Sequence, residues 1–129
     1  MTPSLFEALE ADDARTVQWH LEQGADPNAV DPRWPPPFAW PPLSVAATRG
    51  NAEMVRLLLS YGADVNVRDS GGGTPLIWAC NGEHLDCARA LLQAGADPTL
   101  RNNDGYTAYG RTPMRNQELL NLLRHHGGS

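Results

Sequence analysis

Thr74-Pro75-Leu76-Ile77-Trp78-Ala79-Cys80, then His84, Ala90-Leu91-Leu92 and Gly95-Ala96-Asp97-Pro98, is the stretch that decides the fold, because it is a copy. Thirty-three residues earlier the chain reads Pro42-Leu43-Ser44-Val45-Ala46-Ala47, Gly50-Asn51, Val55-Arg56-Leu57-Leu58-Leu59 and Gly62-Ala63-Asp64-Val65-Asn66. Thr107 falls 33 residues after Thr74, and a further Gly-Ala-Asp stands at Gly24. Self-similarity at this period marks a protein built of stacked units, each burying its apolar face against a neighbour. It also moves the functional question from an active site toward an elongated binding surface.

The two central copies resemble the ankyrin-repeat family, and the resemblance covers nearly the whole chain. It implies an all-α solenoid of paired antiparallel helices with hairpin-like fingers. About four units are expected, at 3–29, 41–66, 74–99 and 107–127, in a single domain spanning residues 1–129. The family's Thr-Pro-Leu-His departs here: Ser44 and Ile77 replace the histidine, and Pro41 replaces the threonine of the second unit. These changes should remove hydrogen bonds that tie finger to helix.

The periodicity places the helices. The first unit reads as helices at 4–11 and 13–22, with Leu5, Ala8 and Leu9 on one face, and Val17, Trp19 and Leu21 supplying apolar contacts. The second unit has helices near 42–49 and 52–60. Pro42 and Pro75 fit the first helical turn, where a missing N–H does no harm. Gly24, Gly62 and Gly95 stop helices in the left-handed conformation. The last unit is a C-terminal cap, aligned by Asn116 with Asn51 and by Gly127 with Gly62, and its tail is expected to fray from His125 onward.

Composition narrows the class. The net charge is −5, which disfavours the phosphate backbone of nucleic acid as a partner. No apolar run approaches a membrane span, and no basic-then-apolar leader opens the chain. Two cysteines without a framework suggest a reducing compartment. The expectation is a soluble, cytoplasmic monomer. All ten basic residues are arginine, which with the short chain fits a bacterial protein. Every positive charge is therefore a planar multi-donor fork suited to carboxylates and aromatic faces.

The first inter-repeat finger is the outlier. From Gly24 to Pro41 the chain runs five residues longer than the matching stretches, and residues 32–42 hold six of its eleven prolines. Trp34, Phe38 and Trp40 either fold back on the stack or stand out as anchors on a proline-stiffened loop. In stacks of this family, the resemblance implies that fingers and first helices line a concave groove for partners. Spacing maps Arg33, Arg49, Arg68, Trp78, Asn81, Arg101, Tyr106 and Arg111 to that face, with Glu53, Glu83, Asp86 and Glu118 opposite. This segregation points to a protein partner with an acidic segment. The alternative is internal pairing of the arginines with Asp64, Asp69, Asp97 and Asp104.

Catalytic chemistry finds little footing. Cys80, His84 and Cys87 could suggest a nucleophile or a zinc site. However, Cys80 occupies the second alanine position of the motif and Cys87 an apolar position of the next helix, and the resemblance implies a structural histidine at His84. No enzyme, cofactor or metal is expected. Protein–protein recognition is the leading reading, and a toxin-neutralising inhibitor that covers its target's active site is the alternative.

Overall fold

The structure, a computed structural model, describes residues 2–34 and 39–129. Eight helices follow in order: α1 (Leu5–Glu10), α2 (Ala14–Glu22), α3 (Pro42–Arg49), α4 (Ala52–Ser60), α5 (Pro75–Asn81), α6 (Leu85–Gln93), α7 (Ala108–Arg111) and α8 (Gln117–His125). The odd-numbered helices pack in one row and the even-numbered in a second. No strand occurs among the described residues, and the stack they form is all-helical, as the resemblance implies.

Local chemistry sets each boundary. Ser4 and Glu7 form a reciprocal capping box on α1. Asp13, Asn51, Thr74, Thr107 and Asn116 each accept a backbone N–H of their helix's first turn. Pro41 cannot do so, and α3 begins without a side-chain cap. Ser44, in the place of the missing histidine, is buried, and its hydroxyl finds no partner among the described residues. The loss expected from the sequence is therefore visible at both positions of the second unit.

Leu9, Leu43, Leu58, Leu76, Leu91 and Leu123 form the spine of the core, with Ala46, Ala47 and Ala79 where helices approach closely. Each buried leucine contributes on the order of 1.5–3 kcal/mol. Phe6 joins this core, whereas Trp19 is 48% exposed. Only Val17 and Leu21, one full turn apart, face inward from α2.

Successive units are joined along two edges. On one, Asn28 Oδ1 accepts from the Asp64 N–H at 2.7 Å, and Asn66 Oδ1 from the Asp97 N–H at 2.9 Å. On the other lie the turns within each helix pair, where Asp12, Gly50 and Glu83 all take positive φ. Asp12 binds Arg49 and Asn51 of the next unit, and Glu83 binds Arg115 and Asn116 of the next. Between them, the His84 ring sits against both Gly50 and Gly82, and its Nε2 lies 3.2 Å from the Thr48 carbonyl.

The C-terminus corrects an expectation. Far from fraying at His125, the chain turns at Gly127 (φ +92°), and the Gly128 N–H donates to the Leu123 carbonyl at 2.8 Å. This repeats the turn made at Gly62 and Gly95, and it closes α8.

Candidate functional site

The fingers at Asp69–Gly73 and Asn102–Tyr106 are one structure repeated. In each, the first residue's N–H donates to the carbonyl of the last, at 3.0 and 2.9 Å. The Asp69 carboxylate accepts from the N–H groups of Gly71 and Gly73 and from Trp78 Nε1. That bond fixes the indole of Trp78, which projects from α5. Asn102 Oδ1 in the next finger accepts from the N–H groups of Asp104 and Tyr106.

Around Trp78 the structure gathers a stripe. Trp40 packs on it with ring centroids 5.0 Å apart and planes inclined by 43°. Arg111 lies over the ring of Tyr106, 5.2 Å from its centroid, and donates through Nη2 to Asn81 Oδ1 at 2.8 Å. Tyr106 itself is 46% exposed. Trp78, Asn81, Asp69, Asn102, Asp104 and Arg111 together line a shallow cleft of about 210 Å³. Such a cleft admits a side chain or two from an extended segment.

Of the residues mapped from sequence, Trp40, Trp78, Asn81, Tyr106 and Arg111 are thus brought together. Arg68 and Arg101 stand beside them, each tying its own finger: Arg68 donates to the carbonyls of Gly72 and Arg101, and Arg101 donates to that of Gly105. Trp34 is 56% exposed on the first finger. Phe38 lies outside the described residues.

Two arginines need correction. Arg49 forks onto Asp12 through Nε at 2.9 Å and Nη2 at 2.7 Å, so it joins two units. Arg33 bonds Asp31 and reaches Glu10 on α1 through Nη2, at 2.6 Å in both cases. Asp31 is only 5% exposed. The beginning of the first finger is therefore pinned toward α1, and the charges of Arg33 and Arg49 are already matched. Their partners are Asp31, Glu10 and Asp12, none of the four acids named in the internal-pairing alternative.

The guanidinium groups of Arg33 and Arg49 hold the carboxyls of Asp31 and Asp12 below the usual aspartate range. A depressed acid stabilises the fold above its unfolded pKa and ceases to do so as the pH falls through the folded one. Stability should hold at neutral pH and decline below about pH 4. Asp31→Asn should lower the neutral melting temperature and flatten that acid limb, as thermal melts across pH 2–7 would show. An unchanged limb would remove Asp31 from the account.

Cys80 and Cys87 are free and fully buried. Burial pushes the thiol of Cys80 up to about 12 and that of Cys87 to about 11, so little thiolate exists at neutral pH. Native protein should resist a disulfide-exchange thiol reagent at pH 7.5, and both thiols should titrate after unfolding. Rapid native labelling would contradict their structural role. Among the described residues, no group of three or more His, Cys, Asp or Glu could hold a metal ion, and no helix is long and apolar enough to cross a membrane.

The cleft's lining was only partly visible beforehand. Asp69 and Asn102 lie 33 residues apart at the base of matching fingers, a signal in the period that reads as turn chemistry until the indole bond is seen.

Comparison with known proteins agrees with this architecture. Residues 5–102 match the family described as ankyrin repeats, in three copies. An ankyrin repeat-containing protein of Schizosaccharomyces pombe is 35% identical over 83% of this chain and 48% of its own length. Human protein phosphatase 1 regulatory subunit 27 is 45% identical over 64% of this chain and 53% of its own. An ankyrin repeat protein of Rickettsia bellii is 33% identical over 86% of this chain and 54% of its own. The chain thus spans about half the length of these relatives, which come from eukaryotes and a bacterium alike.

Proposed function

The chain belongs to the ankyrin-repeat family, whose repeats are protein–protein interaction modules, and on that premise we propose that it recognises a protein partner through the concave stripe Trp40–Trp78–Tyr106. The observation that carries this reading is the Trp40–Trp78 pair, half-buried and held in place by Asp69 beside an open cleft. Pre-positioned aromatic rings at a groove centre are what binding hot spots are made of, because little order is lost on contact. The exposed Trp34 extends the surface onto the enlarged finger.

Charge supports a partner segment with acidic character. Near the stripe, Arg68, Arg101 and Arg111 meet Asp69, whose carboxylate already takes three donors, and the exposed Asp104. This cluster of arginines stands within a chain of net charge −5. The protein acts as a monomeric binding module in the cytoplasm rather than as an enzyme. A relative named as a phosphatase regulatory subunit favours a regulatory role, and none of the relatives described above is named as neutralising a toxin.

Affinity capture from the native host, comparing wild type with Trp40→Ala/Trp78→Ala below the melting temperature of both, tests the reading. One dominant protein lost with the variant is the expected result. Equal capture by both would remove the stripe from the binding surface.

A further inference from the structure

We infer that the stripe reads a single partner carboxylate, from an Asp or Glu of an extended segment, at a seat built by Arg111 and Asn81. The inference rests on the groove reading above and adds the contact that sets its specificity.

The arginines near the groove are not equivalent. Arg33 and Arg49 are neutralised by carboxylates at salt-bridge distance. Arg68 and Arg101 spend Nη1 on finger carbonyls and hold the fingers in shape. Arg111 is held, among the described residues, only by uncharged groups: the Tyr106 ring under its face and Asn81 Oδ1 at Nη2. A guanidinium carries five N–H donors in a planar fork, and one of them is engaged here.

Two fixed points make this fork pre-organised, so a bidentate carboxylate could dock at small entropic cost. Asn81 gives its oxygen to Arg111, which turns its amide N–H₂ into a further donor for the same anion. Trp78 lines the same cleft, so an apolar neighbour of the carboxylate would cover the Trp40–Trp78 rings. Two acids also line the cleft. Asp69 already accepts from the N–H groups of Gly71, Gly73 and Trp78, which offset part of its charge. Asp104 is exposed on a finger tip, where water screens it.

The test is selection from a displayed library of short random peptides, run in parallel on wild type, Arg111→Gln, Arg111→Glu, Asn81→Ala and Trp78→Ala. Wild type should enrich peptides sharing an Asp or Glu next to an apolar residue. Arg111→Gln should weaken those peptides roughly ten- to a hundredfold, the range of a charge-assisted pair. Arg111→Glu should select Lys or Arg at the same place. Asn81→Ala should cost severalfold and keep the acidic preference. Arg111 and Asn81 are exposed and Trp78 is half-buried, and melting temperatures near wild type would show that folding is not the cause. Peptides that need Trp78 but lack an acid, or bind Arg111→Gln equally well, would overturn the seat and leave the groove standing. Enrichment indifferent to Trp78, or none at all, would overturn the groove reading and the seat with it.

Discussion

Gly50→Ala is expected to destabilise the protein by about 2–4 kcal/mol, enough to lower the melting temperature by roughly 10 °C. Gly50 has φ +72°, where a side chain costs about 1–2 kcal/mol. A Cβ there would also stand 2.5 Å from His84 Nδ1. The ring has little room to retreat, because Gly82 crowds its other edge and its Nε2 faces the Thr48 carbonyl. Gly62→Ala supplies the comparison: φ is +94° but no atom lies within 4 Å of the added Cβ. It should cost only the backbone strain, about 1–2 kcal/mol. Urea melts of both variants decide the matter. Equal losses would mean that His84 is not wedged, whereas partial recovery in Gly50→Ala/His84→Ala would show that it is.

Trp78→Ala should weaken partner binding by at least about 30-fold, close to 2 kcal/mol. Three contacts disappear together: the face offered to the partner, the support under Trp40, and the Nε1 donor to Asp69. Trp78→Phe separates them. It keeps an aromatic face against Trp40 and leaves Asp69 with its two backbone donors, so a severalfold loss is expected. If the two variants weaken binding equally, the indole N–H and not the stacked face governs the site. If neither changes affinity while both lower the melting temperature, the rings belong to the core alone.

How much was legible in the sequence depended on what repeated. The bounds of α3 and α4 followed from a 33-residue period that fixes Pro42, Asn51 and Gly62 against Pro75, His84 and Gly95. The stripe followed too, since Trp40, Gly73 and Tyr106 share one register, as do Val45, Trp78 and Arg111. What did not repeat was misread. Arg49 finds Asp12 across 37 residues and Arg33 finds Glu10 across 23. Both distances depend on how the first, longer finger folds. Trp19 counted as apolar contact by composition, yet it lies two residues from both Val17 and Leu21 and so points off the buried face of α2. The closed C-terminus was signalled by the match of Gly127 to Gly62, which the polar ending masked.

The link from Asn28 to the Asp64 N–H joins the first unit to the second without passing through residues 30–41. This tie does not depend on the enlarged finger, whose described ends are themselves fixed, Arg33 to Glu10 of α1 and Trp40 to Trp78. Between those two anchors the sequence can change with the Asn28 tie kept. Evolution, or an engineer grafting a new loop between them, could retarget the molecule there without cutting that link.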